Sequence, residues 1–261
     1  MYIEQTHSTS SLLREMYSDA LPHLYTIRTG FQTAGRGQAG NSWESEEGKN
    51  LLCSVLLKYE GVSAKEQWRI SMLVAVALRE AIIKVFGTEE RFSNKLTIKW
   101  PNDIYYENKK LVGILIENML QGTKVEYTIA GVGVNVNQTQ WRSDAPNPIS
   151  MKEITGEEYD VEALLNEWII SMKSWEECST HAIRTAYLQN LYRREGWHRY
   201  VEREVSVEPT AIVTGEVDGV FLAEFVDITN QGELVLRTEH SVERTYHFKQ
   251  IRYVINTKNK N

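Results

Sequence analysis

Only two cysteines, Cys53 and Cys178, occur in 261 residues. They cannot form the paired C-x-x-C spacing of zinc or redox motifs. Both lie in apolar-patterned segments, which predicts buried free thiols in a reducing compartment. Positive charge is also short. Lysine and arginine number 29 against 35 acids, a net charge of −6. Binding to nucleic acid needs a basic footprint that neutralises phosphates, so no DNA partner is expected. The first residues, "MYIEQTHSTSSLLREM", lack the basic and apolar regions of a signal peptide. The densest apolar run, "MLVAVAL" at 72–78, is far too short to span a bilayer. These absences predict a cytoplasmic protein with no membrane partner. The six histidines do not cluster, and neither HExxH nor GxSxG occurs, so metal-hydrolase and triad chemistry have no support.

What is present suits a globular chain, with 42% hydrophobic and 25% charged residues. "STSSLLREMY" offers hydroxyl caps for a short helix near Ser10. "LYTIRTGFQ" reads as a strand, and the polar-bounded run "NLLCSVLLK" as a buried one. A wide apolar stripe over 66–86 ends at Gly87, predicting a helix with a glycine terminator. "KLTIKW", "DIYY", "LVGILIE" and the run 124–137 follow as strands of one meander, with "ENKK" as a turn. Asp160 caps a predicted helix, and a second is expected around "AIRTAYLQNLYRRE". After Trp197 the chain turns to short alternating runs punctuated by "DG" and "NQG", the pattern of a barrel of about five strands. The predicted division is a catalytic domain over 1–200 and a small β domain over 201–261.

Four motifs carry chemistry. In "TIAGVGVNVN", Ile129, Gly131, Gly133 and Asn135 share one strand face, and Ala130, Val132, Val134 and Val136 share the other. The valine face predicts a core. The glycine face is either a bed for a planar ligand whose polar edge Asn135 reads, or a site of close packing or a bulge. "KWPND" ends a strand at Pro101, and Asn102 and Asp103 then form a plain turn or place a carboxylate for magnesium. Lys109 and Lys110 are either solvated turn residues or a cation for a phosphate. "FQTAGRGQAGNSW" holds three glycines, one arginine and no acid. It lacks the GKS/T of a phosphate-binding loop, and its GxGxxG spacing (Gly35, Gly37, Gly40) leads into the polar run "NSWESEEGKN" and not into a helix, so it is not read as a dinucleotide site. Such a loop cradles an anion or simply connects, and Trp43 stacks on a base or caps the core.

Taken together, "STSSLL", "FQTAGRGQAGNSW", "GKNLLCSVLL", "KWPNDIYYENKKLVGILIE" and "GVGVNVN" stand in the order and spacing of the biotin protein ligases, which this chain resembles over nearly its whole length. The resemblance implies an α+β fold. A mixed sheet flanked by helices, like that of class II synthetases, is followed by an SH3-like barrel. It implies ATP, biotin and Mg2+, an adenylate intermediate, and transfer of biotin to a lysine of a biotin carboxyl carrier protein or domain. Lys110 aligns with the lysine that contacts the reacting oxygens. Ser8, Thr9, Ser10 and Gln32 correspond to the biotin-side contacts, and Gly113, Gly131 and Gly133 to the small positions along biotin. Gly35, Arg36, Gly37 and Gln38 match the segment that closes over the adenylate, with Arg36 supplying charge. Trp43 and Asn135 match residues near adenine. Asn102 and Asp103 match the pair beside the phosphates, Asp103 supporting magnesium.

The sequence departs from the family pattern at several positions. The family loop often reads GRGRRGR, whereas Gln38 and Asn41 replace two of its basic residues here, and Ala39 a third. Ser10 stands where asparagine is common, and His7 where aspartate is common. Some members carry a DNA-binding domain ahead of the catalytic motif. With that motif beginning at Ser8, a monofunctional enzyme is expected, and a homodimer is left open. The rival readings are a lipoate–protein ligase, a non-catalytic biotin or nucleotide sensor, and a domain used for protein contacts.

Overall fold

Every residue of the strand Leu51–Leu57 is buried. A strand covered on both faces belongs in the middle of a layered sheet. The computed structural model, which describes residues 1–87, 90–143, 145–202, 212–214 and 218–255, places it there. The first sheet contains β1 (Tyr2–Thr6), β2 (Thr26–Gln32), β3 (Leu51–Leu57), β4 (Leu96–Lys99), β5 (Asp103–Tyr106), β6 (Lys109–Gln121) and β7 (Lys124–Val134). Their spatial order is β1-β2-β3-β7-β6-β5-β4. β1 and β2 run parallel, and every other neighbouring pair is antiparallel.

The sheet's two faces sort the alternating residues of β7 as the sequence pattern implies. Ala130, Val132, Val134 and Val136 join the main core with the helix α2 (Trp68–Phe86). That helix stops at Gly87, whose φ of 81° is easy only for glycine. α5 (Val161–Glu176) and α6 (Thr180–Gln189) pack on α2, and Asp160 accepts the Glu162 N–H as the cap of α5. On the opposite face, the short helix α1 (Thr9–Glu15) sets Leu13 against Ile27, Leu56 and Ile129.

Several details differ from the sequence reading. β1 and the short helices α3 (Glu90–Ser93) and α4 (Met151–Thr155) were not foreseen. α4 carries a legible signal: Ser150 and Glu153 form a reciprocal capping box. The last helix ends at Gln189 because Leu191 is drawn into a bridge with Ile98. Cys53 is a buried thiol, and burial pushes its pKa up. Cys178 is only half-buried, because it lies beyond the end of α5.

A second sheet contains β8 (His198–Glu202), β9 (Ile212–Thr214), β10 (Val220–Ile228), β11 (Leu234–Thr238), β12 (Glu243–Tyr246) and β13 (Ile251–Ile255). Its order is β12-β11-β10-β8-β13-β9, antiparallel except where β9 joins β13. The "DG" and "NQG" turns place Gly219 and Gly232 at positive φ. This SH3-like unit is fastened to the first. Trp100 Nε1 donates to the Gly232 carbonyl at 2.8 Å, and Arg184 pairs with Asp227 at 2.6 Å.

Candidate active site

Pro101 cannot extend β4, and the turn after it is clamped onto β6. The Asn102 side-chain amide donates to the Ile114 carbonyl, and the Ile114 N–H donates back to the Asn102 carbonyl at 3.1 Å. Asn102 therefore spends its amide on the fold. Asp103 opens β5 opposite Gly113, but the register slips so that Tyr105 lies opposite Lys110. This bulge brings Lys110 and Gly113, three residues apart, to the same side of the sheet. Lys110 Nζ then reaches Asp103 Oδ1 at 2.8 Å and stands 5.7 Å from the centre of the Trp43 ring system.

The glycine face of β7 is covered by side chains. A Cβ at Gly133 would stand 2.4 Å from Trp43 Cε2, and one at Gly113 would stand 2.6 Å from Trp43 Cζ3. The indole lies across both. A Cβ at Gly131 would meet the Ser10 hydroxyl at 2.4 Å. Two polar atoms along this bed have no partner among the described residues, the buried Trp43 Nε1 donor and the buried Asn135 Oδ1 acceptor. The Asn135 amide nitrogen is already committed to the Lys110 and Ile149 carbonyls.

At the far end is a polar corner. The Thr9 N–H and hydroxyl donate to Gln32 Oε1 at 2.8 and 3.2 Å. Ser54 Oγ lies 2.8 Å from the Thr9 hydroxyl and 3.0 Å from that of Ser10. Ser8 is buried at the N-cap of α1 without a side-chain cap bond. The sequence reading missed Ser54, although a lone hydroxyl inside an otherwise apolar strand is itself a signal of a buried polar contact. Ser54→Ala is expected to cost about 1–2 kcal/mol, because it strips a shared partner from two buried hydroxyls. Urea unfolding measures this, and an unchanged midpoint would contradict it.

The glycine loop is an ordered hairpin. Arg36 bridges to Ser42, Gly37 N–H donates to the Asn41 carbonyl at 2.7 Å, and a 3-10 turn over Gln38–Gly40 forms the tip. At its base a Cβ on Gly35 would stand 2.5 Å from the Trp43 carbonyl oxygen. The Arg36 guanidinium donates to Glu117 at 2.5 Å and to Ser11 at 2.9 Å, and Arg14 shares the same Glu117 oxygen at 2.6 Å. Glu44, also missed, accepts the N–H groups of Arg142 and Ser143, each at 2.7 Å. Burial opposes its charge, but the Ser143 hydroxyl, these backbone bonds and the Arg142 cation prevail, holding the carboxyl below its ordinary range.

These parts enclose a cavity of about 540 Å³, and every sequence-predicted position except Gly35 lines it. Gly35 instead shapes the hairpin behind Trp43. Among the described residues no three histidine, cysteine or acidic side chains group as a metal cluster, so Asp103 is a lone carboxylate.

The model of the Biotin/lipoate A/B protein ligase family matches residues 2–135, a span that contains every site position read from the sequence. The bifunctional ligase/repressor BirA of Bacillus subtilis is 27% identical over 94% of this chain and 71% of its own. A biotin–[acetyl-CoA-carboxylase] ligase of Paracoccus denitrificans is 29% identical over 79% of this chain and 81% of its own. Among solved structures, a biotin protein ligase from Aquifex aeolicus in complex with biotin and ATP superposes with a TM-score of 0.70 at 20% identity, covering 97% of this chain and 98% of that one. At that identity the likeness establishes the fold. With the matched segment spanning half the chain, the protein belongs to the Biotin/lipoate A/B protein ligase family.

Proposed function

We propose that this protein activates biotin with ATP as biotinyl-5′-adenylate and passes the biotinyl group to a lysine of a biotin carboxyl carrier protein or domain. The observation that carries this reading is a single cavity joining a hydroxyl-lined corner, an ammonium–carboxylate pair and an indole-covered glycine bed. The corner of Ser8, Thr9, Ser10 and Gln32 offers donors and acceptors for a ureido ring. The Trp43 indole offers a face on which adenine can stack, and the unpaired Asn135 Oδ1 offers an acceptor to its edge.

In the first step a biotin carboxylate oxygen bonds to the α-phosphorus. The bond to the bridging oxygen breaks, and pyrophosphate leaves with the electron pair. Lys110 exchanges its Asp103 contact for the α-phosphate oxygens, where its fixed charge meets charge as it builds up. In the second step an uncharged acceptor amine attacks the biotinyl carbonyl, AMP leaves, and the amine proton passes to solvent. The same ammonium steadies the departing phosphate. Arg36 is free for the adenylate once its Glu117 pairing opens, and the hairpin of Gly35, Gly37 and Gln38 shields the anhydride from water.

A lone carboxylate suits Mg2+ that arrives on nucleotide phosphates and keeps most of its waters. Asp103 would hold that ion, whose charge would neutralise the phosphates. The expected division after residue 200 would cut β8, so the proposed catalytic domain ends before His198, where the SH3-like domain that lends Phe248 to the cavity wall begins.

The direct test incubates a carrier domain with ATP, biotin, magnesium and this protein, and reads the carrier's mass. A gain of one biotinyl group is expected, and no gain with biotin, or a gain with lipoate alone, overturns the reading. At the hairpin tip, Gln38 Oε1 is buried with no partner among the described residues. Gln38→Arg is expected to lengthen the adenylate's half-life on the enzyme several-fold, since a charge-assisted bond exceeds a neutral one by about 1 kcal/mol. An unchanged or shorter half-life sinks that expectation.

A further inference from the structure

Three cations line the cavity, and they differ in what already holds them. Arg36 is paired with Glu117, and Lys110 with Asp103. The third is Lys99, the last residue of β4. It sits directly opposite Asp103 in the β4–β5 register and is only 1% exposed. Among the described residues its ammonium has no ion pair or hydrogen bond. Instead it lies 5.3 Å from the ring centre of Tyr105 and 4.6 Å from that of Tyr253. Tyr253 belongs to β13, so the SH3-like unit supplies half of this seat.

A buried cation resting only on aromatic faces is an expensive feature to keep without a use. The faces attract it, but they do not replace water's hydrogen bonds to an ammonium. Burial pulls its pKa down to about 8, with Lys110 and Arg193 pushing the same way and Asp103 opposing. Near neutral pH the group therefore stays mainly charged, with three N–H donors unspent. Unlike Arg36 and Lys110, it has no ionic contact to break before accepting an anion.

We propose that Lys99 is a triphosphate-binding residue of this site, its ammonium taking an oxygen of the β- or γ-phosphate and staying with the pyrophosphate as it leaves. The proposal rests on the ATP-dependent reading above and deepens it. Lys110 serves the α-phosphate, where the new bond forms. Lys99 serves the leaving group, which receives the electron pair of the broken P–O bond. A cation there favours bond breaking and matters less once the adenylate has formed. This separates the two lysines by reaction step, and it gives the SH3-like unit a part in nucleotide selection through the Tyr253 ring.

Lys99→Met keeps the apolar stem and removes the charge. Calorimetric binding of ATP and of AMP, each without biotin, tests the contact independently of any ligase activity. ATP affinity is expected to fall about tenfold or more, with AMP affinity held within twofold. In the same variant, biotin-dependent ATP–pyrophosphate exchange should fall by at least the same factor, while transfer from purified biotinyl-5′-adenylate to a carrier domain stays near wild type. The melting temperature should stay level or rise, because an unpartnered buried charge has gone. Equal losses for ATP and AMP, or no loss for either, overturn the proposal, as does a parallel fall in transfer from the purified adenylate. If wild type binds ATP more tightly than AMP, Lys99→Met erases that preference, and exchange with biotin is absent, the lysine assignment stands and the biotin reading falls.

Discussion

Lys110→Ala lowers biotinyl transfer to a carrier domain by about 10²–10³-fold, the loss expected when one preorganised donor to developing charge is removed. The size follows from where the ammonium is held. Its Nζ is 2.8 Å from Asp103, and the bulge in β6 sets it on the side of Gly113 and the Trp43 indole. Because both steps develop charge on the same phosphate, the adenylation and transfer rates should fall together. The fold should survive, since Lys110 is about one-third exposed and a pair that open to water contributes at most about 1 kcal/mol. Single-turnover measurements by carrier mass, with thermal unfolding as the control, check this. A transfer rate within tenfold of wild type would remove Lys110 from the mechanism. Asp103→Asn separates two roles. It frees the ammonium and removes the carboxylate proposed for magnesium, so raising magnesium should recover part of its activity if Asp103 holds the ion.

How much of this was legible follows from the range of each signal. The buried strand Leu51–Leu57 is written as an unbroken apolar run and the two-faced strand β7 in local alternation, and the sheet confirms both. β1 was hidden because its burial pattern has no two-residue alternation and it is fixed only by pairing with β2. The functional positions came from motif order, which fixes identity but not partners. Glu117, which gathers Arg14 and Arg36, looked like the polar end of an apolar strand. Glu44 looked like one acid among several, and its partners lie in a loop almost a hundred residues on. For the glycine face the sequence left two readings open, a ligand bed or close packing. The molecule shows close packing by Trp43 and Ser10, and both of these side chains also line the cavity.

That packing makes the second large effect specific. Gly133→Ala is expected to destabilise the protein by about 1–3 kcal/mol, the usual cost of forcing a methyl group into a filled site. Its backbone is not the obstacle. Gly133 is absent from the positive-φ residues, so alanine can adopt its conformation. Nor can the strand step aside, because Gly133 is paired with Leu52 on one side and Gly113 on the other. The new methyl group would stand 2.4 Å from Trp43 Cε2, so the indole must leave the bed. Trp43→Ala should therefore rescue the substitution. The double variant should be no less stable than Trp43→Ala alone, a coupling of about 1–3 kcal/mol in a urea-unfolding cycle. Additive losses would instead mean that the glycine answers to the sheet and not to the indole. The rescue should stop at stability. A variant with no indole over the glycines folds but lacks the surface proposed to stack adenine, so its ATP affinity should stay at least tenfold below wild type, within the range of about 1–3 kcal/mol for base–aromatic stacking.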